Sequence, residues 1–135
     1  GLDFGDKTIG IAISDKTYTI ATPVKTLIRK GIKKDILELI KLFKEYNVGG
    51  VVLGLPLSLN GQENERTKKV RIFANELHKI TNIKVTFFDE RFSSDVVFKE
   101  LRKASLSITK INKKINQMAA SYILQGFLDT IKNII

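Results

Sequence analysis

Apolar and polar positions change period several times along the chain, and each change marks an element. The chain opens Gly-Leu-Asp-Phe-Gly-Asp-Lys-Thr-Ile-Gly-Ile-Ala-Ile-Ser-Asp. A short apolar strand carrying Asp3, a tight Gly/Asp/Lys/Thr turn and a returning strand, Ile9 to Ser14, predict a β-hairpin. Gly5 can take φ > 0 there without steric cost. If the turn centres on Asp6 and Lys7, Asp3 lies opposite Gly10 and Gly1 opposite Ala12. Ile13 and Ser14 are then left without partners, which is costly for a buried strand end. A few residues preceding Gly1 and extending the first strand are therefore expected.

Ala21 to Ile28 reads as a third strand, with Pro23 marking its beginning. Ile32, Ile36, Leu37, Leu39, Ile40 and Phe43 recur at helical spacing and predict a helix of about four turns, ending near Tyr46-Asn47. The continuous apolar run through Val51-Val52-Leu53-Gly54-Leu55 predicts a strand buried on both faces, running out into a loop from Leu57 to Glu65. A second helix, about Asn64 to Ile80, turns Val70, Phe73, Ala74, Leu77 and Ile80 inward and Arg66, Lys68, Lys69 and Arg71 outward. His78 falls on the outer face, as a surface residue rather than a catalyst. Lys84 to Phe88 is another strand and ends in Asp89-Glu90-Arg91. A third helix holds Val96, Val97, Phe98 and Leu101, with Ser93 or Ser94 as cap and Asp95 in its first turn. Ala104 to Ile115 is polar and basic and reads as an irregular loop. The last helix is expected to start near Asn116, its apolar stripe running from Met118 and Ala119 to Ile131.

This succession predicts an α/β sandwich with a mixed sheet. The first three strands form an antiparallel meander, and the last two, entered by crossover helices, lie parallel to the first. Sites of such sheets lie at the carboxyl ends of the parallel strands, so Asp3 and Asp89/Glu90, far apart in sequence, can converge there. The 135 residues make one domain, 1–135, and with 43% apolar residues it can bury a real core.

Charge and composition narrow the chemistry. The formal net charge of +9 favours a polyanionic partner, most simply a phosphate backbone. The cations are mostly Lys, and Ile and Asn are abundant, so an AT-rich genome is the competing source of that charge. There is no cysteine, hence no disulfide and no thiolate metal site. No apolar run reaches membrane-spanning length, and no signal-peptide pattern is visible. Asp3 on a rigid strand suits a hard cation, although a solvated Asp beside a turn reads the same way. Two or three convergent carboxylates on a basic domain suggest metal-assisted phosphodiester hydrolysis.

Four ordered segments carry a resemblance. They are Asp3-Phe4-Gly5-Asp6-Lys7-Thr8-Ile9-Gly10-Ile11-Ala12, Gly54-Leu55-Pro56-Leu57, Asp89-Glu90-Arg91-Phe92-Ser93-Ser94, and Asn116-Gln117-Met118-Ala119-Ala120-Ser121-Tyr122-Ile123-Leu124-Gln125. Together they resemble the YqgF/RuvX family over nearly the whole chain. The resemblance implies a ribonuclease H-like fold with strand order 3-2-1-4-5, in a bacterial cytoplasmic protein. It implies an endonuclease maturing the 5′ end of pre-16S rRNA or, alternatively, a Holliday junction resolvase. Mg²⁺ or Mn²⁺ is the implied cofactor and structured RNA or DNA the partner. A monomer or weak dimer is expected, with a stable dimer favouring the resolvase.

By the family's pattern Asp3 is the first metal-binding carboxylate and Glu90 the second. Only one of Asp89 and Glu90 should face the site, leaving Asp89 to anchor the loop or pair with Arg91. Lys7, Arg66 and Arg91 are implied phosphate contacts, and Ser93 and Ser94 are caps or substrate ligands. Lys110, Lys113 and Lys114 form either a substrate clamp or a solvated loop. One departure matters: Asn116 stands where the family usually carries the third metal-binding Asp. An amide oxygen coordinates a cation without adding negative charge, so metal binding should weaken. Asp129 lies roughly 20 Å further along the helix and cannot compensate, while nothing shows that Asp6 or Asp95 assists. Asn116 therefore also supports a non-catalytic nucleic-acid-binding module. An actin-type ATPase would open similarly but needs two lobes.

Overall fold

The computed structural model describes residues 1–91, 93–104 and 108–134; the side chains of 93–96, 98, 108–113, 133 and 134 lie outside that description. In order, the elements are β1 (Leu2–Phe4), β2 (Thr8–Ser14), β3 (Ala21–Ile28), α1 (Ile32–Glu45), β4 (Gly50–Leu55), α2 (Glu65–Thr81), β5 (Lys84–Asp89), α3 (Ser93–Lys103) and α4 (Ile108–Ile134). The five strands form one sheet of order β3-β2-β1-β4-β5. β1, β2 and β3 pair antiparallel, whereas β4 runs parallel to β1 and β5 parallel to β4. This is the predicted mixed sheet.

The hairpin register is also as expected, with Asp3 opposite Gly10 and the Gly1 and Ala12 backbones bonded to each other. Ile13 and Ser14 have no partner on β1, as expected, and pair on their other edge with Thr22 and Ala21 of β3. Two expectations are corrected. Gly5 is not among the positive-φ glycines, which are Gly31 and Gly61, because its N–H closes the turn onto the Thr8 carbonyl at 2.9 Å in ordinary backbone geometry. Pro23 is the third residue of β3 rather than its first. It is tolerated because β3 is an edge strand and its pairing slips by a residue beside Pro23.

Alternation along the strands divides the core. Leu2, Phe4, Ile9, Ile11, Leu27, Leu53 and Leu55 point toward α1 and α2, where they meet Ile36, Leu39, Val70, Phe73 and Leu77. On the opposite face Ala12 and Val52 meet Ala120, Ile123, Leu124 and Leu128 of α4. α3 packs on α4 through Val97, Leu101 and Ala119.

The largest correction concerns α4. Ile108 to Ile115 is helical, not a loop, so Asn116 sits inside the helix rather than at its start. The polar residues of that stretch are conspicuous, but Ile111, Ile115 and Met118 continue at i, i+4, i+7. Ile115 and Met118 pack against the buried Val97 and Leu101. Packing of Ile115 and Met118 on α3 holds α4 where the sequence placed its start, and the helix continues N-terminally from there to Ile108.

α4 lies unusually close to the sheet because glycines face it. A Cβ at Gly10 would collide with the backbone carbonyl of Asn116, and one at Gly126 would come within 2.6 Å of the Phe88 ring. On the other face the hairpin turn is tied to α1. Arg29 stacks over Phe4, donates to the Gly5 carbonyl and pairs at 3.1 Å with the buried carboxylate of Asp35. Asp35 also accepts from the Lys30 N–H, so its charge is fully engaged.

Gly10→Ala is expected to cost about 3 kcal/mol, the upper end for overpacking, because the obstacle is backbone. Gly49→Ala, where a Cβ meets nothing within 4 Å, is the control and should be neutral or slightly stabilising. Urea unfolding of both variants checks this. Equal stabilities would show that α4 can shift off the sheet.

Candidate active site

The site is built at the edge of the sheet where β1, β4 and β5 end. Asp3 alternates with Leu2 and Phe4, whose side chains enter the core beneath α1 and α2, so its own carboxyl points to the α4 face. Glu90 follows directly after β5, and its N–H still bonds to the Leu55 carbonyl of β4 at 3.2 Å. Its parity is that of Phe88, which packs toward α4. The Glu90 carboxyl rests over Gly54: a Cβ there would come within 2.8 Å of the carboxyl and 2.5 Å of Ile123. Gly54 thus leaves the space through which Glu90 reaches Asp3.

The two carboxyls are hydrogen-bonded, with protonated Glu90 donating to the Asp3 carboxylate. Burial raises the Asp3 pKa, while the bond from Glu90 and the charge of Arg66 oppose that rise. Glu90 is raised to about 8, first by burial, then by the negative charge of Asp3 and the shared proton. Arg66 opposes this shift too. Two half-buried carboxyls this close do not both ionise without a cation, so the pair holds one proton at neutral pH, on Glu90.

Asn116 reaches the same region from α4. Its Nδ2 donates to the Thr8 hydroxyl on β2 at 2.8 Å, which leaves the amide oxygen as the end able to take a cation. The donor set is all oxygen, two carboxyls and one amide, and suits a hard divalent ion better than a soft one. Among the described residues no three His, Cys, Asp or Glu side chains cluster as a metal site.

The remaining candidates divide. Arg66 is exposed, yet its charge acts on both carboxyls, and its N–H is held by the N-cap Asn64. Arg91 donates to Asp89 at 2.8 Å and to the Leu59 carbonyl at 3.1 Å, so Asp89 anchors the loop as strand alternation predicts. Lys7 is exposed on the hairpin turn, and Lys114 is exposed on α4, now a helix rather than a loop. The side chains of Lys110 and Lys113, like those of Ser93, Ser94 and Asp95, lie outside the described residues. Asp6 pairs with Lys69 at the surface, and Asp129 accepts from Gln125, further along α4. The exposed His78 bonds the Ile83 carbonyl through its ring. Among the described residues no helix is long and apolar enough to cross a membrane.

Sequence reasoning missed Thr8 and the roles of Gly10 and Gly54 and of Asn64. Three of them lie within the quoted motifs, but what they do depends on elements distant in sequence. Asn64 carried a local signal, since Asn64 and Thr67 form a capping box at the start of α2.

A five-stranded sheet of this order with a carboxyl pair at the ends of β1 and β5 defines a ribonuclease H-like α/β nuclease fold. Two solved structures of fowlpox virus Holliday junction resolvase share it. One, in complex with its junction DNA, superposes with TM-score 0.55 at 14% identity, covering 96% of this chain and 95% of that one. The other gives 0.53 at 14%, covering 96% of each. Residues 1–130 match the family described as "RuvX: Holliday junction resolvase". Proteins named "Putative pre-16S rRNA nuclease" are similar along almost their whole length. The one from Ruegeria pomeroyi is 40% identical over 99% of this chain and 87% of its own. The one from Bartonella tribocorum is 42% identical, over 99% and 86% respectively. The chain belongs to the RuvX family and is a nuclease by that membership.

The Glu90 proton gives the site a pH signature. Its stabilising contribution is complete below the ordinary Glu value of 4.5 and is lost as pH rises through about 8. In EDTA the unfolding free energy should therefore fall between about pH 5 and 8, with a slope of at most about 1.4 kcal/mol per pH unit from this group. Glu90→Gln should flatten that fall, as read by urea unfolding across the range. An unchanged slope would mean that Glu90 ionises normally.

Proposed function

We propose that the chain is a metal-dependent endonuclease that cuts structured RNA at the 5′ end of the 16S rRNA precursor. It acts in the cytoplasm as one domain, 1–135, that is monomeric or weakly dimeric. The observation that carries this reading is the Asp3–Glu90 pair at the sheet edge, sharing a proton beneath the charge of Arg66. The names of the relatives support the RNA substrate.

Asp3, Glu90 and the amide oxygen of Asn116 would hold Mg²⁺ or Mn²⁺. That ion supplies an activated water and stabilises charge on the leaving oxygen. The rest is done by the chain. Glu90 releases its proton to solvent when the site is loaded, so loading improves as pH rises toward about 8. Thr8 orients Asn116 by accepting its amide N–H. Arg66 attracts the phosphate to be cut, and Lys7, Arg91, Lys110, Lys113 and Lys114 are the proposed contacts to its flanking backbone. With no third carboxylate, the set brings at most two negative charges, so it needs more free cation than an all-carboxylate site.

The family's description and the fowlpox resolvase favour a second substrate, a four-way DNA junction. Cleavage of a 16S-precursor RNA and of a DNA junction, each with Mg²⁺ or Mn²⁺, tests both. Wild type should cut the RNA, and Asp3→Ala should lower the rate on the order of 10²-fold or more. Asn116→Asp should lower the cation concentration needed, on the order of tenfold. Cleavage of the junction alone would make the protein a resolvase. If neither is cut but both bind, and a catalytically active relative cuts the same substrates, the protein is a binding module.

A further inference from the structure

We propose that Leu59 is an apolar wedge, entering the base stack of the bound nucleic acid beside the phosphate to be cut. The proposal rests on the nuclease reading above. Leu59 is 73% exposed, at the tip of the loop between β4 and α2. A lone exposed leucine is ordinary on a protein surface. This one differs in how its backbone is held.

The loop is cross-bonded along its length. Ser58 N–H donates to the Gln62 carbonyl at 2.9 Å and Gly61 N–H to the Ser58 carbonyl at 2.7 Å. Gly61 closes the turn at φ 84°. Asn64 donates to the Pro56 carbonyl and the Ser58 hydroxyl, while its side-chain oxygen caps α2 and receives the Arg66 N–H. The Leu59 carbonyl accepts from Arg91 Nη1, whose Nε is held by Asp89. Through Arg91, Leu59 is therefore fixed to the residue following Glu90. Through Asn64 it is fixed to the residue preceding the helix that carries Arg66.

The backbone is spent on holding the loop, and the apolar side chain is left in water on a loop tied to Arg91 and to the start of the helix that carries Arg66. Leucine is among the side chains that proteins insert between base steps to unstack them. A preorganised loop loses little entropy in doing so. Unstacking at this point would bend the strand and bring its phosphate down toward Asp3 and Glu90. The chemistry recognised is a stacked base step, which RNA and DNA share, so the two sources are separated by experiment.

The test uses the intact protein in EDTA, where it binds without cutting. The probes are a stem of precursor RNA and a four-way DNA junction, each carrying 2-aminopurine near the expected cut. Anisotropy reports binding, and 2-aminopurine fluorescence reports unstacking. Wild type should raise the fluorescence severalfold on the nucleic acid that it processes. Leu59→Ala should lose that rise while weakening binding by no more than about tenfold. Leu59→Phe should keep it, as should Ile72→Ala, a control at another exposed apolar residue. Unfolding curves should match, because Leu59 packs little. A full rise with Leu59→Ala, or wild-type binding without any rise, overturns the wedge while leaving the nuclease reading intact. Failure of wild type to bind either probe overturns both.

Discussion

Everything at the site depends on how close α4 comes to the sheet. Helix and sheet normally keep a layer of side chains between them. Here Gly10 has none, and the Asn116 carbonyl occupies the space where its Cβ would be. Ala12 and Ala120 are small and fully buried along the same contact. This approach lets an amide on α4 bond a hydroxyl on β2. A larger residue at Gly10 would push the Asn116 backbone away from the sheet. Gly54 acts likewise for Glu90, whose carboxyl lies over it. The site thus exists because two residues have no side chains.

The same closeness generates the electrostatics. α4 and the sheet exclude water from Asp3 and Glu90, and exclusion penalises their ionised forms more than any other effect does. Two carboxyls in so dry a place share a proton rather than repel. Arg66 lies at the surface and only partly offsets the penalty, since water screens its charge. The pair is left short of positive charge, the electrostatic condition for recruiting a divalent cation. The opposite face of the sheet does the mechanical work. Phe4 stacks on Phe73 at 4.3 Å, and Arg29 lies over Phe4 while bonding Gly5 and Asp35. These contacts hold the hairpin that carries Asp3 in a fixed relation to α1 and α2.

Local pattern made most of the fold legible. Alternation in the hairpin gave the register of Asp3 against Gly10, and the apolar run at Val51 to Leu55 gave a strand covered on both faces. It failed at Ala104 to Ile115, where three lysines and other polar residues outweighed three isoleucines at helical spacing. Sequence counts polar residues equally wherever they lie, while a helix requires only that one stripe be buried. Ile115 and Met118 found cover on Val97 and Leu101 of α3, a partner that sequence spacing does not reveal.

The sequence by itself determined the elements, the sign of the overall charge, and the residue types available for chemistry. It also determined that the segment opening the last motif carries an amide, Asn116, rather than an acid. Each follows from residues near one another in the chain, through backbone geometry and side-chain composition. Only the tertiary structure decided that Glu90 and Asp3 come close enough to share a proton, and that Thr8 fixes Asn116. It alone also decided that Arg91 clamps the loop bearing Leu59. These are long-range facts. They depend on which side chains are missing where two elements cross, and on how much water that crossing excludes.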